Sequence, residues 1–106
     1  MFKAMFFLYR RPDMSVEEFR NYSDDTHVPL VSQVPALRRY VVNYTAMNPG
    51  GASIACDAVA ELWFDSLEGF QAAVGSSQGE TALGDQANYL DMTRTHALFM
   101  EERTIV

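Results

Sequence analysis

The chain has 106 residues, 48% of them hydrophobic and 12% aromatic, with a formal net charge of -6. That predicts a single domain over residues 1–106, large enough for its own core and too apolar to be disordered. The eight basic residues are scattered apart from the Arg10-Arg11 and Arg38-Arg39 pairs, which argues against a nucleic-acid partner, and the lone Cys56 excludes an internal disulfide or a multi-cysteine metal site. A reducing, cytoplasmic setting is the default expectation.

In chain order, the apolar run from Phe2 to Arg10 reads as a first strand. It is too short for a secretory leader and runs directly into Arg11-Pro12-Asp13, and no apolar stretch of the chain reaches bilayer-spanning length. Ser15 with Glu18 three residues on has the spacing of a reciprocal capping box, so a helix begins there, with Val16, Phe19, Tyr22 and Leu30 as its apolar positions, and fades near Gln33-Val34-Pro35. The β-branched and aromatic residues between Leu37 and Met47 predict a second strand, Asn48-Pro49-Gly50-Gly51 a turn or mobile loop, and Cys56 to Phe64 a third strand. Asp65 with Glu68 has cap spacing for a second helix that turns Leu67, Phe70, Ala73 and Val74 inward. Gly75-Ser76-Ser77 interrupts it, Ser77 with Glu80 restarts it through Leu90, and a last strand covers about Arg94 to Glu102.

The predicted order is therefore βαββαβ, an α+β, ferredoxin-like subunit with a four-stranded antiparallel sheet and both helices on one face. Such a sheet needs one apolar side, yet this one carries two. Phe2, Ala4, Phe6 and Leu8 alternate with Met5, Phe7 and Tyr9; Val59 and Trp63 lie opposite the Ala58, Ala60, Leu62, Phe64 set; His96, Leu98 and Met100 lie opposite Ala97 and Phe99. Two short helices cannot cover both sides. A second copy packing sheet against sheet can, which predicts a homodimer in the form of a dimeric α/β barrel.

For chemistry, the run Asp24-Asp25-Thr26-His27-Val28-Pro29-Leu30 stands out. Pro29 has no N–H to offer the Asp25 carbonyl, so a helix continuing through it bends beside His27, an imidazole that exchanges protons near neutral pH with carboxylates close by. A surface or capping histidine is the plainer alternative. Metal binding has little support, because His27, His96 and Cys56 are far apart in the chain and Asp24 and Asp25 diverge on a helix. The glycines form no phosphate-binding fingerprint, and no motif asks for a cofactor.

The segments Arg11 to Phe19, Tyr22, His27-Val28-Pro29-Leu30, Leu37 to Val41 and Asp57 to Ser66 resemble the EthD family of the dimeric α/β-barrel superfamily, over nearly the whole chain. The resemblance implies the same subunit and dimer, and a small-molecule cleft between sheet and helices. Relatives in the superfamily include lactone methylisomerases, and dehydratases or cyclases of polyketide-like compounds, so the family does not fix one reaction. By the same resemblance His27 and Tyr40 are carried over as catalytic candidates: His27 to remove a proton beside a carbonyl or lactone, the Tyr40 hydroxyl to donate to the oxygen where charge develops. Tyr40 as a core aromatic is the alternative.

Tyr22, Trp63 and His96 are weaker candidates for contacting substrate. Tyr22 shares a helix with His27, Trp63 can equally pack at the dimer interface, and His96 can equally be a hydrogen-bonded interior residue. Asn43 falls on the opposite strand face from Tyr40, and Cys56 has no signature of an activated thiol. Two functions lead: a cofactor-independent isomerase, cyclase or lyase acting on a small apolar carbonyl, lactone or polycyclic compound, or a non-catalytic small-molecule-binding accessory protein of a degradation or biosynthetic pathway; the resemblance adds a third, cofactor-free oxygenation of an activated aromatic compound as in antibiotic-biosynthesis relatives.

Overall fold

The computed structural model describes residues 1–51 and 56–106. Its elements run β1 (Phe2–Leu8), α1 (Val16–Tyr22), a π-helical turn (Ser23–His27), α2 (Val28–Val31), β2 (Arg39–Tyr44), β3 (Ala58–Phe64), α3 (Leu67–Gly75), α4 (Ser77–Asp85), a 3-10 turn (Gln86–Asn88) and β4 (His96–Glu101). The four strands form one antiparallel sheet in the order β2-β3-β1-β4, so β3 inserts between β1 and β2 as the split βαβ arrangement requires. No helix of the described residues is long and apolar enough to cross a membrane.

Register fixes which side chains share a face. Phe6 pairs with Ala60 and Ala97, and Tyr40 pairs with Leu62. Ala4, Leu8, Ala58, Ala60, Leu62 and Phe64 consequently point to the helices, where they pack with Phe19, Val31, Phe70, Ala73 and Ala82 in one core. Lys3, Met5, Phe7, Val59, Glu61, Trp63, Leu98 and Met100 point the other way, and on that outer face Leu98 and Met100 are 49% and 40% exposed.

Ser15 and Glu18 cap α1 reciprocally: the Glu18 amide donates to Ser15 Oγ at 3.0 Å and the Ser15 amide to Glu18 Oε1 at 2.9 Å. Beyond Tyr22 the chain departs from a plain helix. Phe19, Ser23, His27 and Val31 are all buried at a spacing of four. In an α-helix of 3.6 residues per turn that spacing would drift by about 120° over three steps. The wider π-turn, in which the Val28 amide donates to the Ser23 carbonyl, absorbs the drift and keeps all four side chains inward. Pro29 is the second residue of α2, directly after the π-turn, and its missing N–H falls where the helical hydrogen-bond register changes.

The caps of the second helical region are shifted by one residue from the spacing-based expectation. Ser66, not Asp65, accepts the Gly69 amide at 3.1 Å, and Asp65 instead pairs with Arg38 at 2.8 Å. Likewise Ser76, not Ser77, accepts the Gly79 amide at 3.1 Å and caps α4. Ser66 stands one position nearer α3 than Asp65, whereas Ser76 stands one position before Ser77, itself the first residue of α4; each serine has the extended backbone from which its hydroxyl reaches the third amide. Val16 and Leu67, expected inward, are 43% and 42% exposed. Both are the first residue of their helix, whose side chain leans back past the helix end rather than over the core. At the α3–α4 corner only glycine fits position 79, since a Cβ there would meet the Ala73 carbonyl oxygen at 2.1 Å. β2 and β4 are shorter than the expected Leu37–Met47 and Arg94–Glu102, and Leu90, placed at the end of the second helical stretch, instead forms an isolated bridge to Arg10.

Candidate functional site

Between the helix face of the sheet and the α2, α3 and α4 layer lies a cavity. Its walls include Phe6, Leu8, Val31, Leu62, Phe64 and Phe70, and three polar side chains, His27, Tyr40 and Gln86, line it as well. Its volume is about 60 Å³, several times the roughly 10–15 Å³ that one water needs. No lysine or arginine is among the described residues lining it.

The π-turn delivers His27 to this cavity, 7% exposed. Its Nδ1 lies 2.9 Å from Asp85 Oδ2. Asp85 ends α4, where the helix dipole disfavours negative charge, and it is itself 8% exposed. Three donors compensate it: the Tyr22 hydroxyl at 2.5 Å and Asn88 Nδ2 at 3.0 Å on Oδ1, and His27 on Oδ2. Burial alone would push the Asp85 carboxyl up, but these hydrogen bonds outweigh it and hold the group below the usual carboxylate range. Asp85 is therefore an anion near neutral pH, and Nδ1 of His27 must donate to it.

Burial lowers the pKa of His27, with Asp85 opposing but not reversing the effect. The imidazole is neutral at pH 7, with its proton on Nδ1 and a lone pair on Nε2, which has no hydrogen-bond partner among the described residues. Tyr40 sits across the cavity on β2. Burial, chiefly, raises the pKa of its phenol, with Tyr44 and Asp24 adding to the effect, so it stays a donor throughout the physiological range. The arrangement holds a base and a neutral hydroxyl donor in an apolar pocket, the combination that proton abstraction beside a carbonyl requires.

Of the residues singled out in the sequence, His27 and Tyr40 meet in the cavity and the others do not line it. Tyr22 stands behind Asp85, its ring 5.1 Å from that of Tyr89. Trp63 lies on the outer sheet face, its Nε1 donating to Glu102 Oε1 at 2.9 Å and its ring flanked by Lys3 and Arg39 at 4.7 Å each. His96 is exposed on that same face, stacked on Phe7 at 5.1 Å with Nδ1 2.9 Å from the Arg94 carbonyl. Two residues of the site went unnoticed in the sequence, Asp85 and Gln86. The signal for Asp85 was present: it follows Ala82 by three on the buried stripe of α4, a position where an unpaired carboxylate is costly. Among the described residues no group of three or more His, Cys, Asp or Glu side chains could hold a metal ion.

A four-stranded antiparallel sheet with its helices packed over a cavity on one face makes this an α+β domain of ferredoxin-like fold. The model of the EthD domain matches residues 11–93, and the chain belongs to that family. It is 32% identical over 88 residues to an uncharacterized 11.0 kDa protein of the thcB–thcC intergenic region of Rhodococcus erythropolis, covering 83% of this chain and 84% of that one. Among solved structures, it resembles an ethyl tert-butyl ether D (EthD) family protein from Bacillus halodurans C-125, with TM-score 0.82, 24% identity, and 97% and 100% of the two chains covered. It also resembles a dimeric protein of unknown function and ferredoxin-like fold from Bacteroides fragilis, with TM-score 0.70, 18% identity and 95% of each chain covered.

Proposed function

We propose that the protein is a homodimeric, cofactor-independent isomerase, cyclase or lyase acting on a small apolar carbonyl or lactone compound by proton transfer through His27. The observation that carries this reading is the buried His27–Asp85 pair, in which Nδ1 is engaged by the carboxylate, Nε2 has no partner among the described residues, and the histidine lines an apolar cavity. In the reaction, His27 Nε2 takes a proton from the carbon beside a carbonyl, and the electron pair moves onto the carbonyl oxygen as an enolate. Tyr40 donates a hydrogen bond to that oxygen, and Asp85 steadies the imidazolium that forms. In a β,γ-unsaturated carbonyl the enolate extends to a dienolate, and return of the same proton at the γ-carbon completes an isomerisation; where the β-carbon bears a leaving group, its departure with the proton held on His27 completes an elimination and restores the base. Tyr22 and Asn88 act as positioning residues, because their contacts are with Asp85 rather than the cavity.

The dimer is supported by the outer sheet face. Met5, Phe7, Leu98 and Met100 form an apolar surface there that a second sheet would cover, and Trp63 and His96 belong to the same surface. The Bacteroides fragilis protein of like fold is dimeric.

Proton abstraction is tested with acetophenone in deuterated buffer, following loss of its methyl protons by NMR. Protein-dependent exchange that His27→Ala slows by roughly 10³-fold is the expected result. Acetophenone bound without exchange above the buffer rate would rule the enzyme reading out and leave a non-catalytic binding protein.

A further inference from the structure

We infer that the cavity selects an uncharged guest of about one ring bearing two oxygen functions, the first received by the Tyr40 hydroxyl beside the His27 base and the second by Gln86. Assigning the first oxygen rests on the proton-transfer reading above; the charge selection and the role of Gln86 do not.

Charge is decided by what surrounds the cavity. No cationic side chain lines it among the described residues, so a carboxylate or phosphate entering would give up its hydration without a counter-ion. Immediately behind His27 stands Asp85, whose partners Tyr22, Asn88 and neutral His27 bring no positive charge. The field at the cavity's polar end is therefore negative and repels an anion further. A cation is attracted by this field but gives up its hydration without a free carboxylate oxygen to replace it, because both Asp85 oxygens already accept hydrogen bonds.

Gln86 supplies the second anchor. Its backbone carbonyl accepts the Tyr89 and Leu90 amides at 3.2 and 2.9 Å, which fixes the residue beside Asp85. The residue is half-buried and lines the cavity, and its carboxamide has no hydrogen-bond partner among the described residues. An amide offers both a donor and an acceptor, so it suits a hydroxyl, ether or second carbonyl. Against apolar walls, a guest that leaves this group unpaired forfeits affinity relative to one that satisfies it. The cavity's free space, a few waters' worth, sets the guest near one ring in size.

Calorimetric titration at about pH 6.5, where the phenol probe is uncharged, tests this with four probes of one shape. These are acetophenone, 4-hydroxyacetophenone, anionic 4-acetylbenzoate, and the ammonium 4-(aminomethyl)acetophenone. The hydroxy ketone is expected to bind roughly fivefold tighter than acetophenone, and both charged probes about tenfold or more weaker than the hydroxy ketone. Gln86→Met should erase the hydroxyl's advantage while leaving acetophenone affinity within about twofold, which also certifies the fold. Charged probes binding as well as neutral ones, an unchanged hydroxyl preference in Gln86→Met, or no binding of either neutral ketone below about 10 mM would overturn the inference. Selectivity retained with no proton exchange would sink the catalytic reading and leave this one standing.

Discussion

The two sides of the sheet use their polar side chains in opposite ways. On the outer face they satisfy one another: Lys3 bridges Glu61 at 2.6 Å and Glu102 at 3.1 Å, Asn43 donates to Glu61 at 2.8 Å, and Trp63 donates to Glu102. On the helix face, His27 Nε2, the Tyr40 hydroxyl and the Gln86 carboxamide have no hydrogen-bond partners among the described residues, and all three line one apolar cavity. A closed polar network gives shape and register to a surface that another copy can cover. Unspent hydrogen-bonding capacity in an apolar hollow is what a ligand requires.

The comparison can be broken most severely at the cavity. Beyond the loss expected for His27→Ala, Asp85→Asn keeps the shape but removes the charge that holds the proton on Nδ1. Exchange should fall by roughly 10²-fold, read by the same NMR assay; an unaltered rate would leave Asp85 as packing alone. Tyr40→Phe should cost about tenfold or more in exchange and only about fivefold or less in acetophenone binding, because the hydroxyl matters most once charge develops.

Changes on the outer face should separate cleanly from these. Leu98→Glu places a charge on the apolar surface and should weaken the dimer about tenfold or more by light scattering across a dilution series. Thermal unfolding and ligand affinity measured above the new dissociation constant should change little. Loss of ketone binding in the dimeric fraction of that variant would show that the two faces are not independent.

Acid adds a graded test. The folded pKa of His27 lies below its ordinary value, so the free base dominates early, and exchange should rise with pH and level off before neutrality. Between the folded value and about 6.5 the unfolded chain binds more protons, so stability falls as pH drops through that window. Asp85, also lowered, adds a second loss that begins only near about pH 4, the ordinary carboxylate range, and is complete below its folded value. The smallest effect is expected at Tyr89, whose buried hydroxyl has no partner among the described residues. Tyr89→Phe removes that unpaired group and should raise stability by about 1 kcal/mol in denaturant unfolding.

Much of this architecture can be read from residue order. Alternation along Phe2 to Tyr9 and Val59 to Phe64 shows two apolar faces, and Ser15 with Glu18 marks the start of α1, because both signals are local. The same alternation, carried through, puts Trp63 with Val59 and Glu61, and His96 with Leu98 and Met100, on the face away from the helices, so their distance from His27 was already implicit. The partner of His27 was not legible. Asp85 lies 58 residues away, and only the antiparallel return of α4 over the sheet and the phase shift of the π-turn bring the two together. Nothing in the local composition of Ser23–His27 distinguishes a π-turn from an α-helix; the repeated burial at Phe19, Ser23, His27 and Val31 appears only once the core is assembled.

The central claim is that His27 presents an unprotonated Nε2 to a ligand while Nδ1 is bound to Asp85. Nitrogen NMR of the protein labelled at its two histidines reads this directly, with His96 as the internal reference. The account predicts the Nδ1–H tautomer at His27 near neutral pH and a shift of its Nε2 resonance on adding 4-hydroxyacetophenone, with His96 unmoved. An Nε2–H tautomer at His27, or a ligand response confined to His96, would contradict it.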